Sequence, residues 1–297
     1  MHRSSTLILT LFTLTFSVFS YAKEELRSSV LPSKIIVWQH TVDNPTKIIM
    51  VMLKQALDIT KAEYGDYDII SSIPMEQRRA VSKLSKKYKG KLDIAHLASS
   101  ASREKGAIAV RIPLIEGLLG YRVCLIRQND QDKFSNIKSK QDFIDRNIKI
   151  GQQQDWPDTK ILEKNGLKVQ TSYKYSLLFR QLEKQRFDCF LRGVNEISDE
   201  LEQHANANFV VENNLLFHYP LPLFFFVNES RPDLAERLTK GLTTLKENGV
   251  LAKLVEDYYK DKLEKLHLGT RKVFHLENPF LPDKSLHSIN AIPWLSL

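Results

Sequence analysis

Arg103 stands in the stretch SSASREKGAIAVRIP (99–113), after four small or hydroxylated residues and ahead of a near-continuous apolar run. One reading puts it where a strand ends and a ligand begins. The alternative is a solvated charge at the start of a helix, although a cation sits badly at that positive end. A second chemically suggestive stretch is GQQQDWPDT (151–159), which leaves a strand-like run and opens a helix at Pro157. The free N–H groups of such a helix start can hold an anion, with Gln153 beside them. Asp155 either caps those N–H groups itself or contacts a ligand. Trp156, at a strand-to-helix turn, has no strand face to bury it, so it either walls a cleft or packs under the loop.

Enzyme signatures are missing. The sequence holds no GxxxxGK[ST] phosphate loop, no GxSxG elbow, no HExxH and no CxxC. His40, His96, His204, His218, His267, His275 and His287 are scattered and never reach a metal-ligand spacing. No metal site and no cofactor is expected.

His2 and Arg3 precede an uncharged apolar stretch, Leu7 to Phe19, followed by Ser20-Tyr21-Ala22 and then Lys23-Glu24-Glu25. That order predicts a secretory signal peptide cleaved after Ala22 and a periplasmic protein. The apolar core is shorter than the ~20 residues that span a bilayer. The formal charge of +8 loses only Arg3 with the leader, leaving about +7 on about 275 residues. Acidic and basic residues are interspersed and no basic stripe carries interleaved aromatics, which argues against a nucleic-acid partner. Cys124 and Cys189 are the only thiols, each in an apolar strand-like run. Export permits a disulfide, but two buried thiols are the reading favoured by these runs.

The elements that must position these residues alternate. IIVWQ (35–39), YDIISSI (67–73) and LDIAHLA (92–98) read as strands. Between the first two, Ile48, Met52, Ala56 and Ile49, Leu53, Leu57 form two rows at i, i+4 of an amphipathic helix. A basic helix from Glu76 to Tyr88 precedes the third strand. A second series follows: NIKIGQ (147–152), a helix from Pro157 to Asn165-Gly166, KVQTSY (168–173), a helix over 177–185 and RFDCFL (186–191). Strand–helix–strand repetition is the sign of parallel α/β sheets. YPLPLFFFV (219–227), with two prolines, reads as an edge or connecting strand. Leu234, Leu238, Leu242 and Leu245 then make a helical stripe that restarts after Asn248-Gly249.

Three ordered stretches resemble the family 3 extracellular solute-binding proteins of bacterial ABC importers, over about residues 34–262. SSASREKGAIAVRIPL (99–114) is similar to that family's TITPERxxxxxFSxPY segment. LEKQRFDCFLRG (182–193) is similar to its LxxGRvDAvvxD. LPLFFFVNESRPDLAERLTKGLTTLKENGVLAKLVEDYY (221–259) is similar to its C-terminal ending. The resemblance implies a type II periplasmic-binding fold, an α/β architecture of two lobes joined by two crossing hinge strands, with the ligand cleft between them. On that template 1–22 is the leader, 23–118 and 221–266 form lobe 1, 119–220 forms lobe 2, and 267–297 is a tail packed on the surface.

The resemblance also implies that Arg103 holds a ligand carboxylate. Ligands of open α/β sheets bind beyond the carboxyl ends of the strands, which adds Gln39, His40, Met75, Ser99 and Ser100 in lobe 1 and Gln153, Asp155 and Trp156 in lobe 2. One position departs from the family. Its second-lobe aspartate, which takes an ammonium group, falls at Gly193, beside Arg192. If Arg192 faces the cleft, it repels an ammonium and favours an acidic ligand; if it pairs with Glu196, four residues on, it does not. The implied function is a monomeric, non-enzymatic binding protein that closes around a small polar or anionic solute, an amino acid or organic acid. An ABC permease or a membrane sensor is the downstream partner. The alternatives are a dehydratase-like enzyme of cyclic carboxylates on the same scaffold, with His40, Asp155 or Glu196 moving a proton, and a degenerate lobe used for protein contacts.

Overall fold

The computed structural model describes residues 32–43 and 47–289, so the expected leader and its cleavage after Ala22 lie outside the described residues. The strands are β1 (Ser33–Val37), β2 (Tyr67–Ser71), β3 (Ile94–Ala98), β4 (Ile108–Val110), β5 (Tyr121–Arg127) and β6 (Lys149–Gln153). They continue as β7 (Lys168–Ser172), β8 (Cys189–Gly193), β9 (Phe209–Val211), β10 (Leu215–His218), β11 (Leu223–Val227) and β12 (Lys272–His275).

Two sheets result. The first has the order β2-β1-β3-β11-β4 and the second β12-β10-β5-β8-β6-β7, with β9 paired to β5. β1, β2 and β3 run parallel, as do β6, β7 and β8. These are the two α/β series of the sequence pattern, each with its helices packed alongside.

Hydrophobicity explains which strands lie at the centre. All five residues of β3, β8 and β11 are buried, as expected of strands covered on both faces. β11 departs from the expected edge strand: it lies between β3 and β4. Pro220 and Pro222 fall before it, in the connection from β10, so every N–H of Leu223–Val227 remains available for pairing. The amphipathic helix is Lys47–Asp58, and it packs against Pro232–Glu247. The two come so close that a Cβ on Gly241 would lie 2.2 Å from the Ala56 carbonyl oxygen, which only glycine permits.

The chain crosses between the sheets from β4 to β5 and returns from β10 to β11. It then crosses again, because β12 pairs in parallel with β10 in the second sheet. The expected irregular surface tail is thus corrected: KVFH (272–275) extends the second sheet, and beyond it the chain turns back to the first lobe, where the Phe280 carbonyl accepts from Ala101 N–H at 2.9 Å. Its apolar anchors Phe274, Leu276 and Leu281 are buried. The expected pair of buried thiols is also corrected. Cys124 in β5 and Cys189 in β8 are joined as a disulfide, since adjacent antiparallel strands bring their Cα atoms to 5.0 Å.

Candidate functional site

The carboxyl ends of β1 and β3 in one lobe face those of β6 and β8 in the other across a cavity of about 780 Å3. Trp38, Gln39, His40, Met75, Gln77, His96 and Arg103 line it from the first lobe. Arg122, Trp156, Asp158, Tyr175, Arg192, Asn195, Glu196 and Glu200 line it from the second.

Arg103 is only 6% exposed, so it is no solvated helix-start charge. It follows β3 on a single helical turn, Ala101–Glu104, and its guanidinium is turned inward. Nη1 donates to the Ala98 carbonyl at 2.8 Å, and Nη2 donates to Gln77 Oε1 at 2.5 Å and to the Asp155 carbonyl at 3.3 Å. All three acceptors are neutral, and among the described residues no carboxylate stands within ion-pair distance. Burial pushes its pKa down to about 10, against smaller upward contributions from Asp158 and Asp155. A desolvated cation held by neutral acceptors is a place where an anion gains most.

Arg192 contrasts with it. Its Nε reaches Glu200 Oε2 at 2.8 Å, its Nη2 reaches Glu200 Oε1 at 2.5 Å, and Glu196 Oε2 lies 3.1 Å away. Burial opposes its charge, but Glu196 and Glu200 more than offset that and hold its pKa well above the ordinary value. Its guanidinium carbon lies 4.6 Å from the Trp156 ring centroid, so Trp156 both lines the cavity and stacks on the cation. Of the two readings of Arg192, the pairing with Glu196 is the one present, and Glu200 joins it, so Arg192 lines the cavity with its charge already spent.

Arg122 lies one strand away, with Asp158 at 2.8 Å and Glu196 at 3.4 Å. Tyr219 donates to Asp158 at 2.6 Å and Tyr175 to Glu200 at 2.6 Å. This ion-pair cluster sets two guanidiniums against three carboxylates, one carboxylate in excess. Glu196, with a side chain 30% exposed, is the least buried of the three.

In the first lobe His96 is held by Thr41, Nδ1 to Oγ1, at 2.8 Å. Burial, with a smaller push from His40, takes its pKa down to about 3, so it stays neutral. His40 keeps surface at the rim, yet its ring is tilted over Trp38 and stacked on His96. That desolvation, then repulsion from Arg192, lowers its pKa.

Of the candidate ligand residues read from the sequence, Gln39, His40, Met75, Arg103, Trp156 and Arg192 line the cavity, and Ser99, Ser100, Gln153 and Asp155 do not. Ser99 donates to Glu104 at 2.5 Å, and Ser100 shares a hydrogen bond with Ser102 at 3.1 Å. The Gln153 side chain accepts from Asp155 N–H at 2.7 Å and donates to the Tyr173 carbonyl at 3.1 Å. Asp155 presents its carbonyl, not its carboxylate, toward Arg103. It is not the cap either, because Trp156 occupies that position before Pro157. Sequence reasoning missed Arg122, Asp158, Tyr175 and Glu200. The one available signal was Arg122, a lone charge inside the apolar run YRVCLI, which a strand buries only with a partner.

No protein-family profile matches the chain, and no curated protein matches it. Solved structures do. An ancestral arginine-binding protein bound to glutamine superposes with a TM-score of 0.58 at 18% identity, covering 77% of this chain and 99% of that one. A structure from work on glutathione import via GshT and the cystine ABC importer TcyBC of Streptococcus mutans gives 0.56 at 16%, covering 86% and 100%. The ancestral amino-acid-binding protein AncCDT-1, a precursor of cyclohexadienyl dehydratase, gives 0.53 at 18%, covering 76% and 96%. The chain therefore has the two-lobed mixed α/β fold of the amino-acid-binding proteins of bacterial ABC importers.

Proposed function

We propose that this is a periplasmic solute-binding protein that closes its lobes on a small carboxylate-bearing solute of the amino-acid type, for ABC-type import or sensing. The observation that carries the reading is Arg103: a buried cation with only neutral acceptors, on the wall of a cleft between two lobes. The excess negative charge around Glu196 suits an ammonium group on the opposite wall, so the pairing favours a dipolar solute over a dicarboxylate. A ligand touching both walls stabilises the closed arrangement by binding it better than the open one. Proton transfer has weaker support: Asp155 is off the cavity wall, and Glu196 is paired with two guanidiniums.

The test is a thermal-shift screen of the chain from Lys23 against amino acids, dicarboxylates and neutral analogues, repeated with Arg103→Ala. A ligand at about 100 times its Kd adds roughly 2.7 kcal/mol. The reading requires that α-amino acids stabilise the native protein and not the variant. Stabilisation by neutral analogues alone, or a response unchanged in Arg103→Ala, overturns it.

A further inference from the structure

Away from the cleft, β10 and β12 end on directly paired histidines. His218 and His275 occupy the same rung of the parallel ladder, so both side chains leave the same face of the sheet. Fifty-seven residues separate them, which is why no spacing rule in the sequence finds them. Their Nδ1 atoms lie 3.4 Å apart at the protein surface, with ring planes at 83°. That separation is long for a hydrogen bond, whose heavy atoms prefer about 2.7–3.2 Å. It equals the bite of a tetrahedral cation: metal–nitrogen bonds of about 2.0–2.1 Å at the tetrahedral angle place two ligand nitrogens about 3.3–3.4 Å apart.

We propose that His218 and His275 form a two-histidine site for an imidazole-preferring divalent cation, of which Zn2+ is the representative. Each ring coordinates through Nδ1 and keeps its proton on Nε2, so neither gains charge and the cation's positive charge is shared with solvent. No group of three or more His, Cys, Asp or Glu stands together among the described residues, so water fills the remaining positions and the metal is exchangeable. The Tyr121 ring, 4.4 Å from that of His218, limits the swing of that imidazole. Position gives the site a consequence. β12 belongs to the tail, and β10 leads directly into the return crossing to the first lobe, so the cation staples the tail strand to the lobe it crosses.

The experiment is titration of the metal-stripped full chain with ZnCl2 by calorimetry, with the melting temperature followed in parallel. One equivalent bound, a raised melting temperature, and loss of both in His218→Gln and in His275→Gln is the expected result. No uptake by the native chain, or uptake retained by both variants, overturns it. Should either variant fail to fold, imidazole nitrogen NMR on the native chain decides. Zn2+ must move the Nδ1 resonances of these two rings together, and the proposal falls if it moves others instead.

Discussion

Arg103, carried by the first lobe, places Nη2 3.3 Å from the backbone carbonyl of Asp155 in the second. The same nitrogen also serves Gln77, and its sister nitrogen serves Ala98, so one guanidinium ties strand end, helix start and opposite lobe together. Lysine carries the charge on a single point and cannot span that fork. Arg103→Lys is expected to fold and to bind the stabilising amino acid about 1.5–3 kcal/mol more weakly, the worth of a charge-assisted hydrogen bond. Calorimetric titration beside the native chain measures it. Equal affinity shows that the charge alone suffices and that the fork plays no part.

Arg192 and Glu200 make the opposite arrangement, a closed ion pair within the cleft wall. Removing one partner strands a buried charge, at a cost of about 3–5 kcal/mol. Glu196 remains as a second partner in Glu200→Gln, so the lower end, about 3 kcal/mol, is expected in urea melts. Replacing the pair together, as Arg192→Met with Glu200→Leu, is expected to cost less than Glu200→Gln alone, because no charge is left unpaired. A double variant less stable than the single one shows that the pair contributes geometry rather than mutual neutralisation.

How much of this was legible depends on whether local order or long-range pairing fixes the feature. The amphipathic rows around Met52, the Pro157 helix start and the strand preceding Arg103 are local patterns, and they fall where the sequence places them. Strand neighbours are set by pairs far apart in the chain. That is why β11 emerges as a central strand, why KVFH finds a partner in β10, and why Cys124 meets Cys189. The cleft follows the same division. Strand ends could be nominated from sequence, but whether Arg103 or Arg192 keeps an unspent charge depends on where Glu200 lands. Eight residues of separation across a strand end and a helix start do not reveal that.

His96 makes stability depend on pH. Its folded pKa, pushed down to about 3, lies below the unfolded value of 6.5, so between these limits the unfolded chain binds a proton that the native chain refuses. The stability it contributes is therefore present above pH 6.5 and lost progressively as pH falls toward 3, at about 1.4 kcal/mol per unit. His40, also lowered, acts in the same direction. Urea melts between pH 7 and pH 4.5 should show this slope in the native chain and a shallower one in His96→Gln, whose amide can still meet Thr41. Identical slopes assign the acid sensitivity to other groups.

The returning tail pins the residue beside the cleft arginine. Glu104 accepts from Ser285 and from Ser99, each at 2.5 Å, and from Arg111 Nη2 at 2.6 Å, while Ala101 N–H donates to the Phe280 carbonyl. Burial opposes the Glu104 charge, but these donors outweigh it and hold its pKa below the ordinary value. Ser285 is fully buried, so its hydroxyl is not replaced by water when removed. Ser285→Ala is expected to cost about 1.5–3 kcal/mol, the range for a hydrogen bond to a charged group. Because Glu104 adjoins Arg103, the same substitution is expected to weaken amino-acid binding, which a merely peripheral tail contact leaves untouched. Denaturant melts and calorimetric titration of the one variant separate the two effects. Loss of stability with unchanged affinity confines the tail to a structural role, and loss of both makes it part of the apparatus that aims Arg103 across the cleft.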